Sequence, residues 1–217
     1  YGAYHQLLAY YYEERPLPWA EKLIDTTLAL QHEDGGFHPA GGGGACEDTD
    51  GIDILVNLYK ITAYKRPHIR RALRRAVPAL LAKHLPDGGF AYRLNEPFIH
   101  MGIRRTQTAP NVGNMFPTWF RLPALALIGQ ILTDHPVGQV EWGFNNICSM
   151  GWHRPWDREA HRLTRGDRLA ELVCAPATDV RRLIARPVRQ SRRLAGRFKR
   201  RLLAAVKIPA CLSRLSR

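Results

Sequence analysis

Two turns, Asp34-Gly35-Gly36-Phe37 and Asp87-Gly88-Gly89-Phe90, constrain this chain more than any other feature. Paired glycines end a helix, because each loses conformational entropy there and readily takes backbone angles that other residues avoid. Each copy therefore closes one helical stretch and leads towards the next. Phe37 and Phe90 stand 53 residues apart. That is room for two helices with their connections, so the pair reads as an internal repeat of helical hairpins.

Apolar spacing supplies the helices between the turns. Residues 1–12 place Tyr1, Tyr4, Leu7, Leu8, Tyr11 and Tyr12 at helical intervals. A second helix opens at Pro18 and is expected to bury Trp19, Leu23, Ile24, Leu28 and Leu30. The third starts at Asp48–Asp50, runs to Ile61 and is apolar on nearly every side. Its one polar stripe, Asp50, Asp53, Asn57 and Lys60, should face water or a cavity. The fourth opens at Pro67, turns Ile69, Leu73, Val77, Leu80 and Leu81 inward, and ends at His84. Its arginines Arg70, Arg71, Arg74 and Arg75 are expected on a solvated outer face, with a kink at Pro78. Residues 91–114 lack periodicity and read as a long loop. A fifth helix spans Phe116–Leu132, with Trp119, Phe120, Leu125 and Ile128 on its apolar face and Pro123 bending it. Trp142-Gly143-Phe144 reads as a degenerate third turn. No stretch alternates as a strand would, so the fold class is all-α.

The net charge of +13 is unevenly placed. Residues 1–153 balance to zero, and residues 154–217, rich in arginine, carry the whole excess. Two regions are thus expected, a helical-repeat domain over 1–153 and a basic tail over 154–217. Leu194–Val206 of that tail is spaced as a basic amphipathic helix. The tail suits an acidic membrane surface or nucleic acid, a disordered extension, or a segment read out of its natural frame. Cys46, Cys148, Cys174 and Cys211 are scattered, which argues against a disulfide framework and points to a reducing, cytoplasmic setting. No apolar run is long enough for a transmembrane segment. The chain begins at Tyr1, already inside a helical pattern, so an upstream continuation is expected.

Gln31-x-x-Asp34-Gly35-Gly36-Phe37 and Asp87-Gly88-Gly89-Phe90 resemble the Gln–Asp-Gly-aromatic repeats of the squalene-cyclase and protein-prenyltransferase superfamily. The resemblance covers roughly residues 1–145. It implies an α/α toroid, in which inner and outer helices alternate around a cavity, and a mainly structural role for the turn residues. A full ring needs far more helices than this chain offers, so an incomplete ring is expected. The resemblance also implies an isoprenoid-like apolar ligand. Protonation-initiated terpenoid cyclases carry Asp-x-Asp-Asp-Thr; here Asp48-Thr49-Asp50 resembles its first half, and Gly51 stands where the second half has Asp. Prenyltransferase β-subunits have a similar glycine-rich lead into an acidic helix, but their zinc site uses an Asp-x-Cys that this sequence lacks.

The acidic residues have a physical case of their own. Several carboxylates at the mouth of an apolar cavity raise one another's pKa, since like charges close together cannot all ionise cheaply. Such a carboxyl can act as a general acid, and the group could hold Mg²⁺; zinc is unsupported. Asp50 is the expected proton donor or ion ligand, supported by Asp48 and Asp53, with Glu47 and Asn57 beside the ligand. Arg104 and Arg105 are candidates for binding a diphosphate. The plainer reading is that Asp48, Thr49 and Asp50 cap a helix N-terminus. Other readings are a non-catalytic scaffold for a protein or glycan and a polysaccharide-active enzyme on the same architecture.

Overall fold

The computed structural model describes residues 2–142 and 164–174. These form six α-helices: α1 (Gly2–Tyr12), α2 (Ala20–Ala29), α3 (Ala45–Ile61), α4 (Arg66–Leu81), α5 (Met115–Ile131) and α6 (Arg165–Val173). Short 3-10 turns lie at His100–Gly102, Arg104–Thr106 and Pro136–Gln139. Among the described residues there is no strand, only isolated bridges such as Phe98 with Thr108.

The helices pack with their chain neighbours and also with the next but one. α1 touches α3, and α3 touches α5. In parallel, α2 touches α4, and α4 touches α6. Contacts thus link odd helices with odd and even with even, and α3 is in contact with α1, α2, α4 and α5. That position explains its composition: Ile52, Leu55, Val56 and Leu58 are fully buried on different sides of the helix. Ile24, Ile69, Leu73, Leu80, Leu125 and Ile128 complete the core around it.

The two turns share one hydrogen-bond frame. In the first, the His32 N–H donates to the Gly36 carbonyl (2.9 Å) and the Gly35 N–H to the His32 carbonyl (3.0 Å). In the second, Leu85 and Gly88 repeat those bonds to Gly89 and Leu85 (2.9 and 3.1 Å). Gly35 and Gly88 have φ of 94° and 89°, the left-handed region that only glycine enters freely. Asp34 accepts from the N–H groups of Gly36 and Gly42, and Asp87 from those of Gly89 and Gly113. Phe37 and Phe90 are both buried. Gln31 ties the first turn to α4, its amide donating to the Gly35 and Ala72 carbonyls (3.0 and 2.8 Å).

Several expectations are corrected. Trp19 is 55% exposed, because it stands before the first turn of α2 and rests edge-on against Tyr10; Leu30, just past the end of α2, is exposed as well. Trp119 also lies on the surface. α3 begins at Ala45 with Gly44 as its N-cap, so Asp48, Thr49 and Asp50 lie inside the helix and do not cap it. α4 ends at Leu81, short of His84.

The arginine face of α4 is not a solvated surface. Arg70 is 1% exposed. It donates to Glu171 of α6 (2.9 Å), to the Ile131 carbonyl (2.7 Å) and to Asp134 (3.1 Å). Arg74 bonds to the same two carboxylates. Arg71 reaches the Cys174 carbonyl, and Arg75 the His32 carbonyl and Gln31. The boundary expected between 153 and 154 is therefore crossed by the contact of α6 with α4. Gly143, Phe144 and the expected helix over 194–206 lie outside the described residues.

Candidate functional site

The acidic residues of α3 separate into two groups, because residues two apart on a helix point about 200° away from each other around its axis. Asp48 faces α5 and the first turn. It is 1% exposed, and three donors hold it. Its Oδ1 accepts from the Phe37 N–H (3.1 Å), and its Oδ2 from Lys83 (3.1 Å) and Arg121 (2.7 Å). Arg121 is wholly buried and also donates to the Ala91 and Tyr92 carbonyls. With both oxygens taken by charged and backbone donors, Asp48 serves the frame of the fold.

Asp50 and Asp53 lie on the other side, along the stripe that continues through Asn57 and Lys60. The stripe is closed to water at Asp50, Asp53 and Asn57, which are buried, while Lys60 at its end is half-buried. It runs under α1, whose Tyr4 and Leu7 are buried, and the Tyr11 phenol lies near enough for the Asp53 charge to help raise its pKa beyond the effect of burial. Asp53 accepts from the Asn57 amide (3.1 Å), and Lys60 donates to the same Asn57 side chain (3.4 Å). Burial brings the Lys60 amine down to about 8, against the pull of Asp53.

Asp50 differs from both its neighbours. It is 5% exposed, and no group among the described residues donates a hydrogen bond to its carboxyl. Burial pushes it up to about 7 against the pull of the N-terminal amine, and the negative charges of Asp53 and Glu47 add a smaller rise. A carboxyl so placed exists in both protonation states near neutral pH, the condition for general acid–base work.

Glu47 sits at the rim, where the Tyr92 hydroxyl donates to it (3.3 Å) and Arg93 lies at 3.6 Å. Cys46 lies beside it, its thiol pushed up to about 11 mainly by burial. Gly51 explains the missing acid of the resembled motif. A Cβ there would stand 2.5 Å from the ring of Phe37, so the residue after Asp50 must be glycine for the turn's aromatic to seat.

Among the described residues no three His, Cys, Asp or Glu side chains converge as a metal-ligating group. The acids proposed from sequence to hold Mg²⁺ are thus not brought together, Asp48 being turned away and tied to its cations. Arg104 and Arg105 are exposed on the loop over 91–114 and are not drawn to the acidic stripe. A groove of about 520 Å³ lies at the opposite end of α3, lined by Glu14, Arg15, Leu17, Pro18, Ile61 and Thr62 among others, away from Asp50.

Sequence reasoning missed Lys83, Arg121 and Glu171, the partners that decide these charges. Arg121 left a signal, since it is the only charged residue in α5. A lone arginine in an otherwise apolar helix calls for a buried acid. Comparison of the chain with protein-family models, curated proteins and solved structures gives no match.

Proposed function

We propose that this chain is a terpenoid cyclase/prenyltransferase-like protein of the α/α-toroid type. In this reading it binds or acts on an isoprenoid-like apolar ligand, with Asp50 as proton donor. The observation that carries it is Asp50: a buried carboxyl without a hydrogen-bond donor among the described residues, held up to about 7 on the most enclosed helix. The alternating helix contacts and the paired turns support the architecture. In the reaction the Asp50 O–H bond breaks as its proton adds to a carbon–carbon double bond, leaving a carboxylate and a carbocation. Loss of a proton from that carbocation to water then gives the product, and water returns a proton to Asp50. Asp53 and Glu47 act from a distance, by keeping the proton on Asp50 until it is needed.

The test is product analysis after incubating the full chain with squalene and, separately, with prenyl diphosphates, alongside thermal shift. Asp50→Asn should abolish product and retain the melting temperature to within a few degrees. Neither product nor thermal shift with any isoprenoid would sink the reading.

A non-catalytic scaffold for a protein or glycan is the second reading. The observation favouring it is Asp48, whose engagement by Arg121 and Lys83 leaves Asp50 without the adjacent acid of the resembled motif.

A further inference from the structure

The loop over 91–114 is a built hairpin. The Phe98 and Thr108 backbones exchange hydrogen bonds in both directions (3.1 and 2.8 Å). Asn95 and Asn111 are joined by two bonds, and Thr106 ties the tip back to His100 and Ile103. Its base rests on an aromatic stack. Phe98 lies between Tyr92 (4.5 Å between centroids) and Phe116 (5.6 Å), and His100 meets Phe116 at 4.4 Å.

This firmly held tip exposes apolar side chains. Met101 is 84% exposed, on a backbone with φ of 50°, and Ile99 and Ile103 flank it. On α5, Met115 (83%) and Trp119 (47%) stand one helical turn apart, with Trp119 edge-on against Phe120, which in turn meets Phe116 of the stack. Arg104 and Arg105 follow Ile103 directly, both exposed and without an ion pair among the described residues. Exposed apolar side chains gathered around one aromatic stack mark an interaction surface. Protruding methionine and isoleucine, a tryptophan at the margin and two exposed arginines match the layered chemistry of a lipid surface, with hydrocarbon within and phosphate above.

We propose that the hairpin tip and the start of α5 dock on an anionic phospholipid surface. Met101, Ile103 and Trp119 enter the headgroup boundary, and Arg104 and Arg105 pair with lipid phosphates. This rests on the loop and not on Asp50, and it is separate from any contact made by the arginine-rich residues beyond 174.

The experiment uses the full chain and vesicles of phosphatidylcholine with or without phosphatidylserine, the acyl chains brominated to quench nearby tryptophan. Quenching is expected with the anionic vesicles, and Trp119→Phe should remove the quenched fraction. Arg104→Gln with Arg105→Gln should weaken binding at least about tenfold, each arginine near an anionic surface being worth about 1 kcal/mol, roughly a factor of five. Met101→Ser should lower binding in a salt-insensitive way. All these positions are exposed, so circular dichroism should show the variants folded. Binding that is unquenched, unchanged in the variants and abolished by salt would overturn the proposal, because the basic tail alone would explain it. Absence of vesicle binding together with a concentration-dependent dimer lost in Met101→Ser would overturn it in favour of a second copy of the chain.

Discussion

α3 and α5 are the same helix built twice, and they differ along one face. The fourth residue of each closes the preceding turn: Asp48 accepts the Phe37 N–H, and Thr118 accepts the Phe90 N–H (2.9 Å). From that register, Asp50, Asp53, Asn57 and Lys60 of α3 stand opposite Phe120, Pro123, Leu127 and Gln130 of α5. The second copy shows that the architecture is satisfied by an almost wholly apolar stripe. The polar stripe of α3 is therefore not a requirement of the packing, and burying it works against stability. Asp48 teaches the reverse. Threonine fills its place in α5, so that position belongs to the turn, and a carboxylate is tolerated there because Arg121 and Lys83 meet it.

The comparison breaks most visibly at Asp48. Asp48→Asn leaves two buried cations without their anion, and roughly 3–5 kcal/mol of stability should be lost, as measured by urea unfolding. A loss no larger than that of a surface substitution would mean that α3 and α5 are not matched as described. Next is Gly51, whose partner position in α5 holds Arg121. Gly51→Ala drives a methyl into the Phe37 ring and should cost about 1–3 kcal/mol, without altering the second turn. The smallest effect is at Asp50 and has the opposite sign. Its folded pKa is raised, so the folded state holds a proton that the unfolded chain releases, and stability falls as pH rises from about 4 to about 7. Asp50→Asn should remove that fall. It should leave the protein more stable than the parent above pH 7, on the order of 1–2 kcal/mol after allowing for solvent screening, and no more stable near pH 4. Parallel stability curves for the two proteins would show that Asp50 is not strained as described.

Much of this arrangement was legible in the chain. The turns, the five helices before the tail, the loop between residues 91 and 114 and the polar stripe all follow from spacings of a few residues, which local geometry fixes. Asp50 could be singled out because Asp53 lies one turn away on the same face. What decided the remaining charges was distant. Asp48 meets Lys83 and Arg121 across 35 and 73 residues, and Arg70 meets Glu171 across 101. An arginine-rich helix face looks solvated from sequence alone, since arginine is rarely buried unless an acid meets it. The acid here comes from α6, in a region whose composition reads as a tail. Trp19 and Trp119 reached the surface for a related reason: apolar spacing marks a helix face but does not say where that face runs out of neighbours.

Glu171 has a consequence for how the molecule comes apart. It and Asp134 clamp Arg70 and Arg74 from two separate stretches of chain, so loss of α6 strips one of two anions from a guanidinium that water cannot reach. The penalty for detaching a nine-residue helix thus falls on the interior of α4 and not on the surface it leaves. α6 and the body are coupled in unfolding: the last short helix behaves as part of one cooperative unit with helices that precede it by a hundred residues.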